Sequence, residues 1–317
     1  MLIDTFLATL TPMLVLFLCM IIGFILKKKA LTPDNTATVL SKLENYVLVP
    51  ALIINTFMNY CTISSIKEQY TMILYCLLSL VLALAISIPL SKVFAGNDAY
   101  QRNIYKYALS FGNFGFMGNA IVPAIFGNEM LYKYMLFILP LNIAVYTWGM
   151  VILIPREGEK QNPLKNLLNP IFFSILLGAF LGLTGFSKFV PTFVANTISN
   201  CAACMGPLAM VLTGFVIGGY KIPSLLKNTR VYIATALRLL ILPTIFLAVA
   251  MVCGANETTL VCMLFAFATP LGLNTVVFPA AYGGDTKTGA AMAMISHSLC
   301  VITIPLMRAL LTLVLAG

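Results

Sequence analysis

Charge is scarce in this chain. Asp, Glu, Lys and Arg make up only 9% of its 317 residues, and it has a single histidine and a single tryptophan. A soluble domain carries about 25% charged residues, so this composition excludes a water-exposed globule. One His and ten acids offer little for general acid–base work, which argues against an enzyme. One His and a single CxxC, Cys201 and Cys204, argue against a zinc site. The eight cysteines read as small buried apolar residues. No GxxxxGK[ST] is present and no stretch is left for a nucleotide domain, so ATP does not drive the molecule. No cofactor is expected.

In place of charge there is apolar length. Hydrophobic residues make up 60% of the chain, and the mean hydropathy is +0.97. The expected class is an all-α polytopic membrane protein. At about 20 apolar residues per span, ten spans are read, at 6–26, 37–58, 70–91, 104–127, 132–154, 168–186, 196–219, 229–252, 258–281 and 288–314. The first has no basic segment before it and no small-residue cleavage site after it, and so reads as a retained span. The net charge of +9 is spread over short loops and forms no groove-facing patch, which excludes a nucleic-acid partner. Its distribution reports topology. Lys27, Lys28, Lys29, Lys42, Lys92, Arg102, Lys106, Arg156, Lys160, Lys165, Lys221, Lys227, Arg230 and Lys287 fall after odd-numbered spans; Lys67, Lys133, Lys188 and Arg308 fall on the other side. The positive-inside rule then places both termini outside the cytoplasm of a multi-pass plasma-membrane protein.

The prolines reveal an internal repeat. Pro12 and Pro170 are 158 residues apart, Pro50 and Pro207 157, and Pro123 and Pro279 156. VPALIINTF resembles GPLAMVLTGF, and PAIFGNE resembles PAAYGGD. Five spans per repeat is an odd number, so the second repeat must enter the membrane inverted. The expected division is 1–154 for the first repeat, 155–169 for a cytoplasmic linker and 170–317 for the second repeat.

Two segments in corresponding places are loaded with helix breakers: FGNFGFMGNAIVPAIFG at 111–127 and ATPLGLNTVVFPAAYGGD at 268–285. Freed backbone groups survive at membrane depth only inside protein or against a wet cavity. A matched pair of interrupted spans therefore marks a transporter's binding site. Gly112, Gly115 and Gly118 alternate with Asn113 and Asn119, though glycine at this spacing also permits plain close packing. Pro270 removes a backbone donor, and Gly272, Asn274 and Thr275 follow. The half-helices that begin after such breaks present free N–H groups and partial positive charge, which suits a small organic anion held by these groups and by the amides of Asn113 and Asn274. Gly112, Gly118, Pro123, Pro270 and Pro279 are the candidate hinge and crossover residues.

The segments LVPALI, SFGNFGFMGNAIVP, NPIFFSILLG, GPLAMVLTG, RLLILP and TPLGLNTVVFPAAYGGD, with Pro305 in span 10, resemble the auxin efflux carrier family over nearly the whole chain. That family includes plant auxin exporters and bacterial carriers of malate or malonate. The resemblance implies that spans 4 and 9 are broken and cross each other. It implies a scaffold of spans 1, 2, 6 and 7 and a transport domain of spans 3, 4, 5, 8, 9 and 10. The Pro-Asn pair that marks the plant span 4 crossover falls on Gly112 and Asn113; the span 9 proline falls on Pro270. The long cytoplasmic loop of the plant exporters is absent.

Four further polar residues lie within spans. Arg238, inside span 8, either neutralises a substrate carboxylate, pairs with an acidic residue in one conformation only, or snorkels to the surface. Glu44, beside Lys42, is expected to be solvated or paired. His297, between Ser296 and Ser298, is expected to be hydrogen-bonded. Asn142 in PLNIAVYTWG ranks below Asn113 and Asn274 as a substrate ligand. The reading is a secondary active transporter that moves a small carboxylate by alternating access, with a proton or sodium as coupling ion, the bilayer as surroundings and a homodimer as one admissible assembly. Its rivals are a sodium-coupled bile-acid-type symporter and, in another class, a membrane-embedded enzyme or ligand sensor.

Overall fold

The computed structural model describes residues 2–154, 169–281 and 284–316. The expected linker, 155–168 in particular, and Tyr282 and Gly283 of the second breaker segment lie outside these residues. The described residues fold as helices without a strand. In chain order they are α1 (Leu2–Lys28), α2 (Thr36–Tyr60), α3 (Ile63–Ala95), α4 (Ala99–Ser110), α5 (Phe114–Phe126), α6 (Asn128–Phe137), α7 (Leu139–Leu153), α8 (Pro170–Thr184), α9 (Thr192–Gly218), α10 (Ile222–Leu226), α11 (Thr229–Val252), α12 (Glu257–Phe267), α13 (Asn274–Ala281) and α14 (Lys287–Ala316).

Six of these, α1, α2, α3, α9, α11 and α14, are long and apolar enough to cross a bilayer; α6 and α7, bent by 50°, make a seventh if taken as one span. The other apolar helices are shorter. The 15 residues of α8 reach roughly 22 Å at about 1.5 Å per residue, against a hydrocarbon core of about 30 Å. The outer surface carries large apolar side chains, such as Leu18 on α1, Val81 on α3 and Phe180 on α8, as expected where lipid replaces water.

Local chemistry sets the helix ends. The hydroxyl of Thr62 accepts from Ser65 N–H while Ser65 reciprocates, a capping box that starts α3. Asp98, Asn169 and Asn256 cap α4, α8 and α12 through their side-chain oxygens. Gly96, Gly127, Gly185 and Gly254 supply positive φ at helix ends. Proline shapes the interiors. Pro50 follows a π-turn at Glu44–Leu48, and Pro243 follows another at Leu237–Ile241. A proline cannot donate to the carbonyl four residues back and its ring crowds that carbonyl; an extra residue in the turn relieves both effects.

The helices pack in recognisable groups. α1 lies along α9, α8 along α2, and α2 also meets α9; α3 packs against α4, α6 and α7, while α14 packs against α1 and α11. The α1–α9 contact is backbone to backbone. A Cβ on Gly214 would run into the Met20 carbonyl, and one on Gly23 into that of Val211.

Candidate functional site

Both breaker segments interrupt their helices. α4 ends at Ser110 and α5 starts at Phe114; α12 ends at Phe267 and α13 starts at Asn274. The interruptions meet. Gly112 and Leu271 form an isolated antiparallel bridge, and Asn113 N–H donates to the Pro270 carbonyl at 2.7 Å. A side chain at 112 does not fit, because its Cβ would stand 2.5 Å from Arg238 Nη2 and from Thr269 Oγ1.

The orphan groups of this junction are satisfied from two sides. Arg238 is completely buried in the π-turn of α11. Its Nη1 donates to the carbonyls of Leu109 (3.2 Å) and Ser110 (3.3 Å), its Nη2 to that of Ala266 (3.3 Å), and its guanidinium lies 5.5 Å from the Phe267 ring centroid. A single cation therefore serves the C-terminal, partially negative ends of α4 and α12. Arg238 has not snorkelled, and it does not line the cavity described below. Tyr134 adds a second clasp, its hydroxyl placed 2.9 Å from the Phe114 carbonyl and 3.3 Å from that of Phe265. From the other side, α14 offers neighbouring residues. Ser296 Oγ accepts from Leu271 N–H at 3.1 Å, and His297 Nε2 lies 3.0 Å from Asn113 Nδ2. Because His297 Nδ1 faces the Ala293 carbonyl at 2.7 Å, it carries the hydrogen. Nε2 then accepts from the amide, so the ring is neutral.

The opposite ends of the breaks face a cavity of about 60 Å³ lined by Gly112, Asn113, Phe114, Gly115, Phe116, Gly272, Leu273 and Asn274, with Asn119, Asn142, Asn45, Tyr146, Val49, Ile53, Val145, Ile171 and Phe278 completing the wall. At about 10–15 Å³ per water it has room for roughly four waters. Among the described residues, five asparagines and no Asp, Glu, Lys, Arg or His line it. The first turns of α5 and α13 open onto it; the N–H groups of Phe114, Gly115 and Phe116 precede any intrahelical acceptor, whereas those of Thr275, Val276 and Val277 already donate to the Gly272 and Leu273 carbonyls. Arg238 stands directly behind the Gly112 wall, so the cavity is uncharged yet backed by a cation.

Of the ten candidate ligands read from the sequence, Gly112, Asn113, Gly115, Asn119, Asn142, Gly272 and Asn274 share this cavity. Pro270, Thr275 and Arg238 sit behind it. Pro270 gives its carbonyl to Asn113, and Thr275 Oγ1 bonds the Gly272 carbonyl at 2.8 Å. Asn274 Nδ2 donates to the Tyr107 hydroxyl at 2.8 Å. Asn119 Oδ1 is buried without a partner among the described residues, and the same residue lines a second cleft of about 540 Å³ between α1, α2, α5 and α9. Of the hinge candidates, Gly112 and Pro270 lie in the interruptions. Gly118 lies in helical backbone against Tyr134, and Pro123 and Pro279 lie inside α5 and α13.

Sequence reasoning missed Asn45 and Tyr146. Asn45 sits in ENYVLVP, a polar residue beside a proline-linked turn, which is the signal that marks it. Glu44 requires a correction. It is neither solvated nor paired: it is completely buried, and neither carboxylate oxygen has a partner among the described residues.

Residues 8–308 match the family model described as membrane transport protein. The chain belongs to this family, the auxin efflux carriers. Among its relatives, this family member is 24% identical to the uncharacterized transporter YfdV of Escherichia coli strain K12 over 61% of its own length and 62% of the relative's, so the match leaves more than a third of YfdV uncovered. It is 21% identical to an uncharacterized transporter of Methanothermobacter thermautotrophicus over 95% of its own length and 98% of the relative's. The family is described as one of membrane transport proteins, and the apolar helices fit a multi-pass membrane protein.

Proposed function

We propose that this family member is a secondary carrier of a small organic anion, a carboxylate, and that the substrate binds between the first turns of α5 and α13. One observation carries the reading. Two helix N-termini converge with five asparagines on a cavity free of charged side chains, while Arg238 lies directly behind its wall. Helix N-termini favour anions, and a cation that is already engaged by carbonyls adds field without sealing the site by a direct ion pair. At about 60 Å³ the cavity must widen to admit a dicarboxylate. We read that widening as one step of alternating access, with Asn119 shared between the cavity and the adjoining cleft.

The same reading takes the chain as ten spans in two inverted five-helix repeats, with α4–α5 as span 4 and α12–α13 as span 9. Two features support it. The α1–α9 contact and the α8–α2 contact exchange under a two-fold that relates span 1 to span 6 and span 2 to span 7, and the Gly112–Leu271 bridge joins equivalent points of the two halves. Spans 1, 2, 6 and 7 would form the scaffold and the rest the moving domain, in a plasma membrane with both termini outside the cytoplasm. The experiment is malonate counterflow in proteoliposomes. Asn113→Ala and Asn274→Ala are each expected to lower transport about 10- to 100-fold, the equivalent of one charge-assisted hydrogen bond at about 1.5–3 kcal/mol, with folding preserved. Unchanged transport in both variants would remove these amides from the site.

A further inference from the structure

Glu44 is the one carboxylate enclosed by the apolar interior among the described residues. Both its oxygens lack a hydrogen-bond partner there. An ionised carboxylate without a partner is very costly in such surroundings, and intramembrane acids are rare and commonly functional. No counter-charge stands nearby among the described residues. The π-turn that carries Glu44 packs against α8, α9 and the flanking parts of α2. Neither α8 nor α9 contains Asp, Glu, Lys, Arg or His; their only titratable side chains are Cys201 and Cys204. On α2 itself the titratable and charged neighbours are Lys42 and Tyr46, both exposed, and Tyr60 at its far end. A sodium ion is held by several converging oxygens, and no group of three or more Asp, Glu, His or Cys side chains that could hold a metal ion stands among the described residues. A proton needs only one oxygen.

We infer that Glu44 is the proton-carrying group of the transport cycle, neutral while enclosed and ionised when α2 exposes it to water. The inference rests on the carrier reading above and names its coupling ion. The next residue, Asn45, lines the substrate cavity, so the proton site and the anion site share one turn of helix. That turn has a built-in means of exposure. Relaxing the π-turn to α-helix, with Val49 onward held, rotates the residues before it by about 100°. Glu44 then comes to where Leu43 now stands, an exposed position. The proton arrives from water on one side as the carboxylate is covered, travels as the O–H, and leaves to water when the carboxyl is uncovered on the other.

Two measurements test this. Infrared difference spectra of the full-length protein in lipid nanodiscs near neutral pH are expected to show the C=O band of a protonated carboxyl that Glu44→Gln removes and Glu44→Asp shifts. In proteoliposomes with the membrane potential clamped, a gradient of one pH unit is expected to drive malonate accumulation of up to about tenfold at one proton per anion. Glu44→Gln should equilibrate malonate without concentrating it, and Glu44→Asp should restore part of the accumulation. The inference is overturned if the band is missing from the wild type, if Glu44→Gln accumulates malonate as the wild type does, or if a sodium gradient replaces the pH gradient. If the wild type moves none of malonate, malate or succinate, the carboxylate reading falls, and the infrared band alone decides the protonation of Glu44.

Discussion

Arg238 satisfies carbonyls at the ends of two helices that are 28 residues or more from it in sequence. Arg238→Met leaves those carbonyls bare in an apolar setting, at about 1–3 kcal/mol each. The expected outcome is a clear fall in thermal stability in detergent, read by the loss of monodisperse protein on heating. Arg238→Lys keeps the charge without the planar fork that reaches three carbonyls and is expected to fall between the two; stability equal to wild type in both variants would show that the junction does not depend on the arginine. Gly112 and Gly115 make a matched pair at the same scale. A methyl group at 112 meets Arg238 and Thr269, whereas at 115 nothing lies within 4 Å. Gly112→Ala is expected to cost about 1–3 kcal/mol, as overpacking does. Gly115→Ala is expected to fold normally and to act on substrate KM, because it fills part of the cavity.

Among the helices, what could be read from the sequence and what could not divide along physical lines. Apolar runs and the proline and glycine of both breaker segments are local signals, so the interruptions at 111–113 and 268–273 were legible. Six cavity residues followed from them, and Asn142 from its polarity among the apolar residues of span 5. The partners of those breaks were not legible, because the π-turns that aim Glu44 and Arg238 depend on how a proline's missing donor is accommodated, and that is settled by packing. Thus Glu44 read as an interfacial acid beside Lys42, when one extra residue in the turn carries it into the interior. Close glycine packing was the alternative reading of span 4, and the tightest backbone contacts at glycine fall instead between α1 and α9. Gly214→Ala is therefore expected to be more damaging than Gly115→Ala, with the thermal midpoint as the measurement; equal tolerance would mean that the two helices can separate freely.

At the scale of the whole molecule, basic side chains gather in one cleft. Lys28, Lys221, Lys227 and Lys287, with Asp285 opposing them, line a broad cleft of about 1020 Å³ on the side assigned to the cytoplasm by the positive-inside rule. The Tyr220 and Thr286 hydroxyls are hydrogen-bonded to each other nearby. Such a cleft raises the local concentration of an anion and does so less at high ionic strength, where the Debye length shrinks from about 10 Å at 0.1 M to about 3 Å at 1 M. Replacing Lys221, Lys227 and Lys287 together by Gln is expected to slow malonate entry from that face several-fold at low salt and to leave the high-salt rate unchanged. The orientation itself is tested in a cysteine-free background. A cysteine placed in the 155–169 linker should resist an impermeant thiol reagent in intact cells, and ready labelling would reverse the topology.

The bridge between Gly112 and Leu271, with its 2.7 Å hydrogen bond from Asn113 to Pro270, also supplies a fixed reference frame. Whatever displaces one interrupted helix must drag the other with it. Spin labels at Ala99 on α4 and Glu257 on α12, both exposed positions, are therefore expected to keep one separation through every state of the cycle. The distance from either to a label at Phe193 on α9 should instead split into distinct populations, which makes the first pair an internal standard against which any motion of this protein can be measured.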